Sequence, residues 1–338
     1  MNPKSTILVT GGAGFIGSGY VRKTLQDHPD WVIRVLDALT YAGNRANLEG
    51  IEDQITFIHG DIADPEVVDD AVAGCDAVLN FAAESHVDRS LMDRRPFERT
   101  NVEGTQVLLD AAIQHGVDRF LQVSTDEVYG DLGGTDHYSI ETDPLLPRSP
   151  YAASKAAAEE LVQTAHASHG LHTVLTRGSN TYGPRQFPEK IIPLFVTNAI
   201  DDRSLPIYGR GTAVRDYLHV EDHCGGIDLI LHHGEPGGIY NLGARLEISA
   251  CDIAEAILEA LDKPHALMSF VADRPNHDQR YAVNPTAAES LGWSRAWSLE
   301  DGLQDTVAWY AANECWWRPI RSSQAFKDFE HAWYNRDR

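Results

Sequence analysis

Short apolar runs rich in β-branched residues alternate with longer stretches of helical period through the first half of the chain. The runs at Thr6–Thr10, Trp31–Asp37, Ile55–His59, Ala77–Ala82 and Phe120–Ser124 are almost continuously apolar, as strands covered on both faces should be. A further run, Thr173–Arg177, follows a helix-like stretch over Ala152–His169. This alternation predicts βαβ units around a doubly wound parallel sheet, an α/β fold. Past residue 180 the punctuation changes, with Pro184, Pro188, Pro193 and Pro206 and the turn Tyr208-Gly209-Arg210-Gly211, and a smaller mixed α/β lobe is expected. Val220–His232 reads as a helix and Ile239–Gly243 as a strand that could return to the first lobe. The expected division is therefore 1–180 with returning segments near 215–245, a lobe over 181–320, and a charged, weakly periodic tail over 321–338 that packs loosely.

Composition narrows the function. The 338 residues carry 28 Lys+Arg against 50 Asp+Glu, a net charge of −22, which repels phosphate backbones and anionic membrane surfaces. Neither a nucleic acid nor a membrane is an expected partner. The N-terminal MNPKSTILVTGG is too short in apolar residues for a signal-peptide core, and no apolar run approaches the roughly 18 residues of a spanning helix. Cys75, Cys224, Cys251 and Cys315 are scattered with no CxxC, so neither disulfides nor a zinc site is expected and a reducing cytoplasm is the default. The 15 histidines, His232-His233 included, show no paired ligand spacing, so no metal is expected.

The first strand runs into Gly11-Gly12-Ala13-Gly14-Phe15-Ile16-Gly17 and then into a helix-compatible segment. Glycines here permit a tight turn, close approach of backbone to a pyrophosphate and close helix–strand packing, while the helix N-terminus supplies positive potential without a lysine. Asp37 ends the second strand twenty positions after Gly17, where a carboxylate accepts both adenosine ribose hydroxyls of NAD and repels the 2′-phosphate of NADP. Together these predict an NAD-binding domain of Rossmann type over 1–180. Asp61-Ile62, after the third strand, reads either as an adenine flank or as a plain strand-end turn.

Chemistry gathers at Ser124-Thr125-Asp126-Glu127-Val128-Tyr129-Gly130 and at Tyr151-Ala152-Ala153-Ser154-Lys155. Four residues apart on a helix, Tyr151 and Lys155 share a face, and an ammonium near the phenol would lower its pKa. Two adjacent carboxylates, Asp126 and Glu127, can hold different protonation states in different environments. TGGAGFIGS with Tyr151 and Lys155 resembles the extended short-chain dehydrogenase/reductase family of NAD-dependent epimerases and dehydratases. More narrowly, Asp37-Ala-Leu-Thr-Tyr-Ala-Gly-Asn44, Ala82-Ala-Glu-Ser-His-Val-Asp-Arg-Ser90, Ser124 to Asp131, Phe187-Pro-Glu-Lys190, Leu205-Pro-Ile-Tyr-Gly209, Arg215-Asp216, Val220-Glu-Asp-His223 and Asp273-Arg-Pro-Asn-His-Asp278 resemble the dTDP-glucose 4,6-dehydratase family, from residue 6 to about 312.

That resemblance implies a Rossmann fold, bound NAD, and conversion of dTDP-glucose to the 4-keto-6-deoxy sugar plus water by C4 oxidation, C5/C6 elimination and hydride return to C6. It implies Tyr151 as base at the C4 hydroxyl, Thr125 hydrogen-bonding the forming carbonyl, Glu127 as base at C5, Asp126 as acid at C6, and Lys155 beside Tyr151. Cofactor contacts are implied for Gly11, Gly14, Phe15, Ile16, Gly17, Asp37, Leu39, Thr40, Asp61, Ile62, Ala82, Ala83, Thr100, Tyr151 and Lys155. Substrate contacts are implied for Ser85, His86, Asn180, Lys190, Pro206, Ile207, Tyr208, Arg215, Arg274 and His277, the cations overruling the global field at a diphosphate. A homodimer through the Tyr151 helix and one near Asn101–His115 is also implied.

Three departures from the family pattern stand out: Gly243-Ala244-Arg245-Leu246-Glu247, Ala250 where a nucleotide-contacting Asn is usual, and Thr181 where a second Asn is common. They leave dTDP and UDP both open as the nucleotide. A 4-epimerase or decarboxylase of the same superfamily would share the cradle and the Tyr/Lys pair but has no use for Asp126 and Glu127. A catalytically silent NAD-binding scaffold would have lost the tyrosine or the carboxylates, and this chain keeps them.

Overall fold

The computed structural model describes residues 4–273 and 277–334. The early apolar runs become β1 (Thr6–Thr10), β2 (Val32–Asp37), β3 (Ile55–His59), β4 (Ala77–Asn80), β5 (Arg119–Thr125) and β6 (Thr173–Gly178). Then come β7 (Asn180–Tyr182), β8 (Leu205–Tyr208), β9 (Val214–His219), β10 (Gly238–Leu242), β11 (Glu247–Ser249) and β12 (Met268–Val271). Seven strands form one sheet in the order β10-β6-β5-β4-β1-β2-β3, parallel at every pairing. β10 is the returning strand that the Ile239–Gly243 pattern suggested.

Alternation along the strands explains their continuous apolar character. Ile7 and Val9 of β1 face one core cluster while Leu8 faces the other, and Ala77 and Leu79 of β4 oppose Val78 in the same way. Both faces are dry, and each fully buried aliphatic side chain contributes about 1.5–3 kcal/mol. β4 stops at Asn80, short of the expected Ala82, because Phe81–His86 leave the sheet as a loop. Beneath that exit a buried polar ladder ties three strands together. The Thr10 hydroxyl donates to Asn80 Oδ1 at 2.6 Å, and Asn80 Nδ2 donates to Gln122 Oε1 at 2.9 Å.

Strand order reverses between β1 and β4, so a crevice opens there at the carboxyl ends of the strands. The helix over Pro150–His169 borders it. Pro150 occupies its first turn, the Ser149 hydroxyl accepts from the Ala152 N–H, and Gly170 at φ 71° closes the far end. Glu159 on this helix meets Arg177 of β6 in a buried ion pair at 2.7 Å, and Arg177 also donates to the Tyr129 hydroxyl and the Glu141 carbonyl.

The remaining strands build a three-stranded sheet, β11-β9-β7, and a two-stranded one, β12-β8. A separate core of Phe195, Ile257, Tyr310 and Trp317 among others fills the space beside them. The loosely packed tail expected from residue 321 is not what forms over the described residues. Gln324–Tyr334 is a helix whose Phe326, Phe329 and Trp333 are buried. Three aromatics spaced three and four apart mark one apolar face, and the charges between them had masked it.

Candidate active site

Two clefts are lined by successive parts of the loop that follows β4. The first, of about 630 Å³, is lined by Gly11, Gly14, Asp37, Thr40, Asp61, Ile62, Ala82, Ala83 and Thr100, nine of the residues expected at a cofactor. Gly11 adopts φ +64°, and a Cβ there would lie 2.6 Å from the Ala82 nitrogen; one at Gly17 would lie 2.3 Å from the Gly11 carbonyl oxygen. Only glycine lets the turn and the helix start approach so closely. Gly14 caps the Phe15–Asp27 helix without a side-chain bond, so the first-turn N–H groups of Phe15, Ile16 and Gly17 remain available to an anion. Asp37 is buried and held by the N–H groups of Ala13 and Leu39 at 2.9 and 2.8 Å. Burial raises its pKa and those two donors oppose the rise. Leu39 itself takes φ 50°, which turns the loop around the carboxylate. Asp61 accepts from the Ala63 N–H and from Arg99, a strand-end turn that also borders the cleft. Uncapped helix start, close-packed glycines and a fixed carboxylate together fit a dinucleotide.

The second cleft, of about 960 Å³, is lined by His86, Asn180, Lys190, Pro206, Ile207, Tyr208, Arg215 and His277 of the expected substrate residues, together with the catalytic candidate Glu127. Ser85 contributes through its carbonyl, which accepts from Lys190 Nζ at 2.7 Å. Arg215 is held by the carbonyls of Val214 and Asp278 and lies 4.5 Å over the Tyr281 ring. Arg274 lies outside the described residues. The loop after β4 serves both spaces, with Phe81 to Glu84 in the first wall and His86 in the second.

The catalytic candidates sit at the end of β5 and the start of the Pro150–His169 helix. Asp126 is 3% exposed, its Oδ2 has no hydrogen-bond partner, and burial, reinforced by Glu127 and Asp216, holds its carboxyl well above the usual range. Glu127, next in sequence, lines the second cleft. Thr125 Oγ1 lies 3.4 Å from Asp126 Oδ1. Tyr151 and Lys155 are both buried on one helix face. The expectation that Lys155 lowers the Tyr151 pKa is corrected. Burial raises the phenol, Glu127 and Asp126 push it further up, and the Thr125 hydroxyl provides the opposing effect. Lys155 donates to the Val123 carbonyl at 2.7 Å, and burial brings its pKa down to about 8, against the pull of Glu159.

Other wall residues escaped the sequence reading. The Tyr208 hydroxyl donates to Asp88 Oδ2 at 3.0 Å and accepts from Trp333 Nε1 at 2.6 Å. Arg89 lies 4.2 Å over both Tyr41 and Phe329 while bonding the buried Glu189 at 2.9 Å. Glu189 falls inside the Phe187–Lys190 motif, which was a signal; Trp333 and Phe329 come from the supposed tail, and only their helical spacing could have found them. Ala250 does line the second cleft. Thr181 bonds His223 Nδ1 at 2.7 Å, whose imidazole burial lowers to about 4. In the variant 243–247 segment, Asp216 accepts the N–H groups of Ala244 and Leu246.

Residues 8–306 match the family model of GDP-mannose 4,6 dehydratase. The chain belongs to that family. Within this dehydratase family, a dTDP-glucose 4,6-dehydratase of Streptomyces griseus is 50% identical over 93% of this chain and 96% of its own length. The low-salt glycan biosynthesis protein Agl12 of Haloferax volcanii is also 50% identical, over 91% of this chain and 99% of its own. The crystal structure of DesIV, a dTDP-glucose 4,6-dehydratase from Streptomyces venezuelae with NAD bound, superposes at a TM-score of 0.91 with 46% identity, covering 93% of this chain and 99% of DesIV. A UDP-glucose 4-epimerase of Thermus thermophilus in complex with NAD reaches 0.84 at 31% identity, over 91% and 99% of the two chains. Fold alone therefore does not separate dehydratase from epimerase, and the side chains at the crevice have to.

Proposed function

We propose that this protein is an NAD-dependent dTDP-glucose 4,6-dehydratase, a hydro-lyase, in which Tyr151, Asp126 and Glu127 divide the proton transfers. The observation that carries the reading is the unequal carboxylate pair: Asp126 buried and disposed to stay protonated, Glu127 open to the substrate cleft. Gly11, Gly14 and Asp37 would hold NAD⁺, which would supply the acceptor for the C4 hydride and the source of the hydride at C6. The Tyr151 oxygen takes the proton of the C4 hydroxyl, for which the positive nicotinamide of bound NAD⁺ would have to offset the burial that raises its pKa, and the Thr125 hydroxyl steadies the oxygen left behind. Glu127 removes the C5 proton, acidified by the neighbouring carbonyl, and returns one to C5 when the hydride adds at C6, while Asp126 delivers a proton to the C6 oxygen, which leaves as water. An epimerase needs neither of the last two transfers. Lys190, Arg215 and His277 surround the space for the diphosphate, and Pro206, Ile207 and Tyr208 that for the base.

Ala250 in the cleft wall has no side-chain polar group for the nucleotide, so UDP-glucose is the second substrate to try. Incubation with dTDP-glucose and UDP-glucose in deuterated water should yield a 4-keto-6-deoxy product carrying deuterium at C5, faster from dTDP-glucose. Asp126→Asn combined with Glu127→Gln should keep C4 oxidation and lose elimination; near wild-type yields of 6-deoxy product from that variant would refute the assignment.

We also propose a homodimer. Ala153, Ala157, Glu160, Thr164 and Ala167 form an exposed, mostly small-residue stripe on the Pro150–His169 helix, which supports close approach of a second copy. Light scattering at the mass of one chain would rule it out. Among the described residues no helix is long and apolar enough to cross a membrane, and none of the four cysteines is paired, so we assign the enzyme to the cytoplasm.

A further inference from the structure

The Phe15–Asp27 helix packs along the Val220–His233 helix, and at the end remote from the phosphate cradle three side chains converge. His28, the residue closing the first helix, places Nε2 3.2 Å from both oxygens of Asp228. His232, one turn beyond Asp228, places Nε2 4.0 Å from Asp228 Oδ1. One ligand atom from each residue lies within 4.8 Å of the other two. We propose that His28, Asp228 and His232 bind a divalent transition-metal ion, zinc being the type case, that clasps these two helices.

Several independent observations support this site. Two imidazole nitrogens and one carboxylate oxygen suit zinc, cobalt or nickel far better than magnesium or calcium. Tetrahedral bonds of about 2.0–2.1 Å set donor atoms roughly 3.3 Å apart, so His28 and Asp228 already match, and His232 has to move toward the pair, from 4.0 Å off Asp228 Oδ1, to complete the set. His232 Nε2 is buried and has no hydrogen-bond partner, a costly arrangement if a His28–Asp228 latch were the whole purpose of the cluster. The surroundings hold the ligands in place: the Tyr20 hydroxyl donates to Asp228 Oδ1 at 3.2 Å, and His28 stacks on Trp31 at 4.2 Å and on His232 at 5.0 Å. An open hollow beside the three residues, lined also by Gly225, Leu229 and His233, leaves room for water as a fourth ligand. Lys23, the nearby cation, is engaged by Asp27 at 2.6 Å.

No metal was expected from sequence because His28 and Asp228 stand 200 residues apart. The Asp228–His232 spacing of one helical turn was the visible half of the signal. Thirteen residues of helix, about 20 Å, separate the cluster from the glycine turn, so the ion is structural rather than catalytic.

The test is titration of the chelator-treated full chain with Co²⁺ alone, followed by displacement with Zn²⁺, with Mg²⁺ as control. The wild type should show the visible absorption of tetrahedral cobalt at one equivalent, lose it to Zn²⁺, and gain thermal stability with Zn²⁺ but not with Mg²⁺. His232→Gln and His28→Gln should each weaken binding at least about tenfold and abolish the thermal gain, with kcat unchanged. Absence of a cobalt spectrum, affinity equal to wild type in both variants, or a zinc anomalous-scattering peak at other residues would each overturn the proposal. If one variant fails to fold, the other variant and the anomalous peak still decide it.

Discussion

Replacing Glu159 by glutamine removes the negative member of a pair almost sealed from solvent, with side-chain exposures of 4% for Arg177 and 2% for Glu159. The remaining guanidinium keeps the Tyr129 hydroxyl and the Glu141 carbonyl as acceptors, but both are neutral. Breaking a buried pair from one side costs about 3–5 kcal/mol, because the partner's charge is left uncompensated. An unfolding entropy of about 2.1 cal/mol/K per residue amounts to roughly 0.7 kcal/mol/K for this chain, so Tm should fall by about 4–7 °C. The same substitution should reach the chemistry. Glu159 holds the Lys155 pKa up against burial, so its loss should move the lysine midpoint below the wild-type value of about 8 and thin out the ammonium form at neutral pH. Calorimetry reads the first effect and NMR titration of the Lys155 ¹³Cε resonance the second. Adding Arg177→Met removes the orphaned charge and should recover most of the stability while leaving the Lys155 midpoint low. A loss under about 1 kcal/mol in Glu159→Gln, or an unmoved Lys155 midpoint, would refute the reasoning.

Asp126→Asn should stabilise the protein at pH 7. The folded-state pKa of Asp126 is raised, so above the unfolded value near 3.8 the folded chain binds more protons than the unfolded one and stability falls as pH rises. The variant's advantage in denaturant midpoint should therefore shrink as pH is lowered toward 4, and a constant difference would contradict the buried acid. Asp37→Ala should weaken NAD binding about 10- to 100-fold and narrow the preference for NAD over NADP, read by fluorescence titration with each reduced cofactor; an unchanged preference would remove the ribose role. Trp333→Ala frees the Tyr208 hydroxyl from one partner and opens the second cleft, so KM for the nucleotide sugar should rise about 3- to 30-fold with kcat little changed, provided that far-UV and near-UV circular dichroism remain native.

Much of the scaffold was legible because a sheet with two dry faces writes itself as unbroken apolar runs, and β1 to β6 begin or end within two residues of the expected limits. The cradle and the Tyr151/Lys155 helix were equally legible, since each is local in sequence. What stayed hidden depends on distance or on environment. Tyr208 meets Trp333 across 125 residues, and no periodicity links them. The direction of the Tyr151 pKa is set by burial and by Glu127 and Asp126, against the Thr125 hydroxyl, and none of these follows from the spacing of Tyr151 and Lys155 on their helix. The charged residues around Phe326, Phe329 and Trp333 concealed a packed helix, because average polarity reports composition and not which face a residue occupies.

The wall around Tyr208 has a consequence for how the protein is made. Its hydrogen-bond partner Trp333 follows the glycine turn and the Tyr151 helix far along the sequence, so the translating chain can complete both long before Tyr208 acquires this partner. Maturation of the second cleft is thereby delayed until residue 333 has left the ribosome. A substitution that loosens the Gln324–Tyr334 helix should therefore weaken substrate binding while leaving the glycine turn intact.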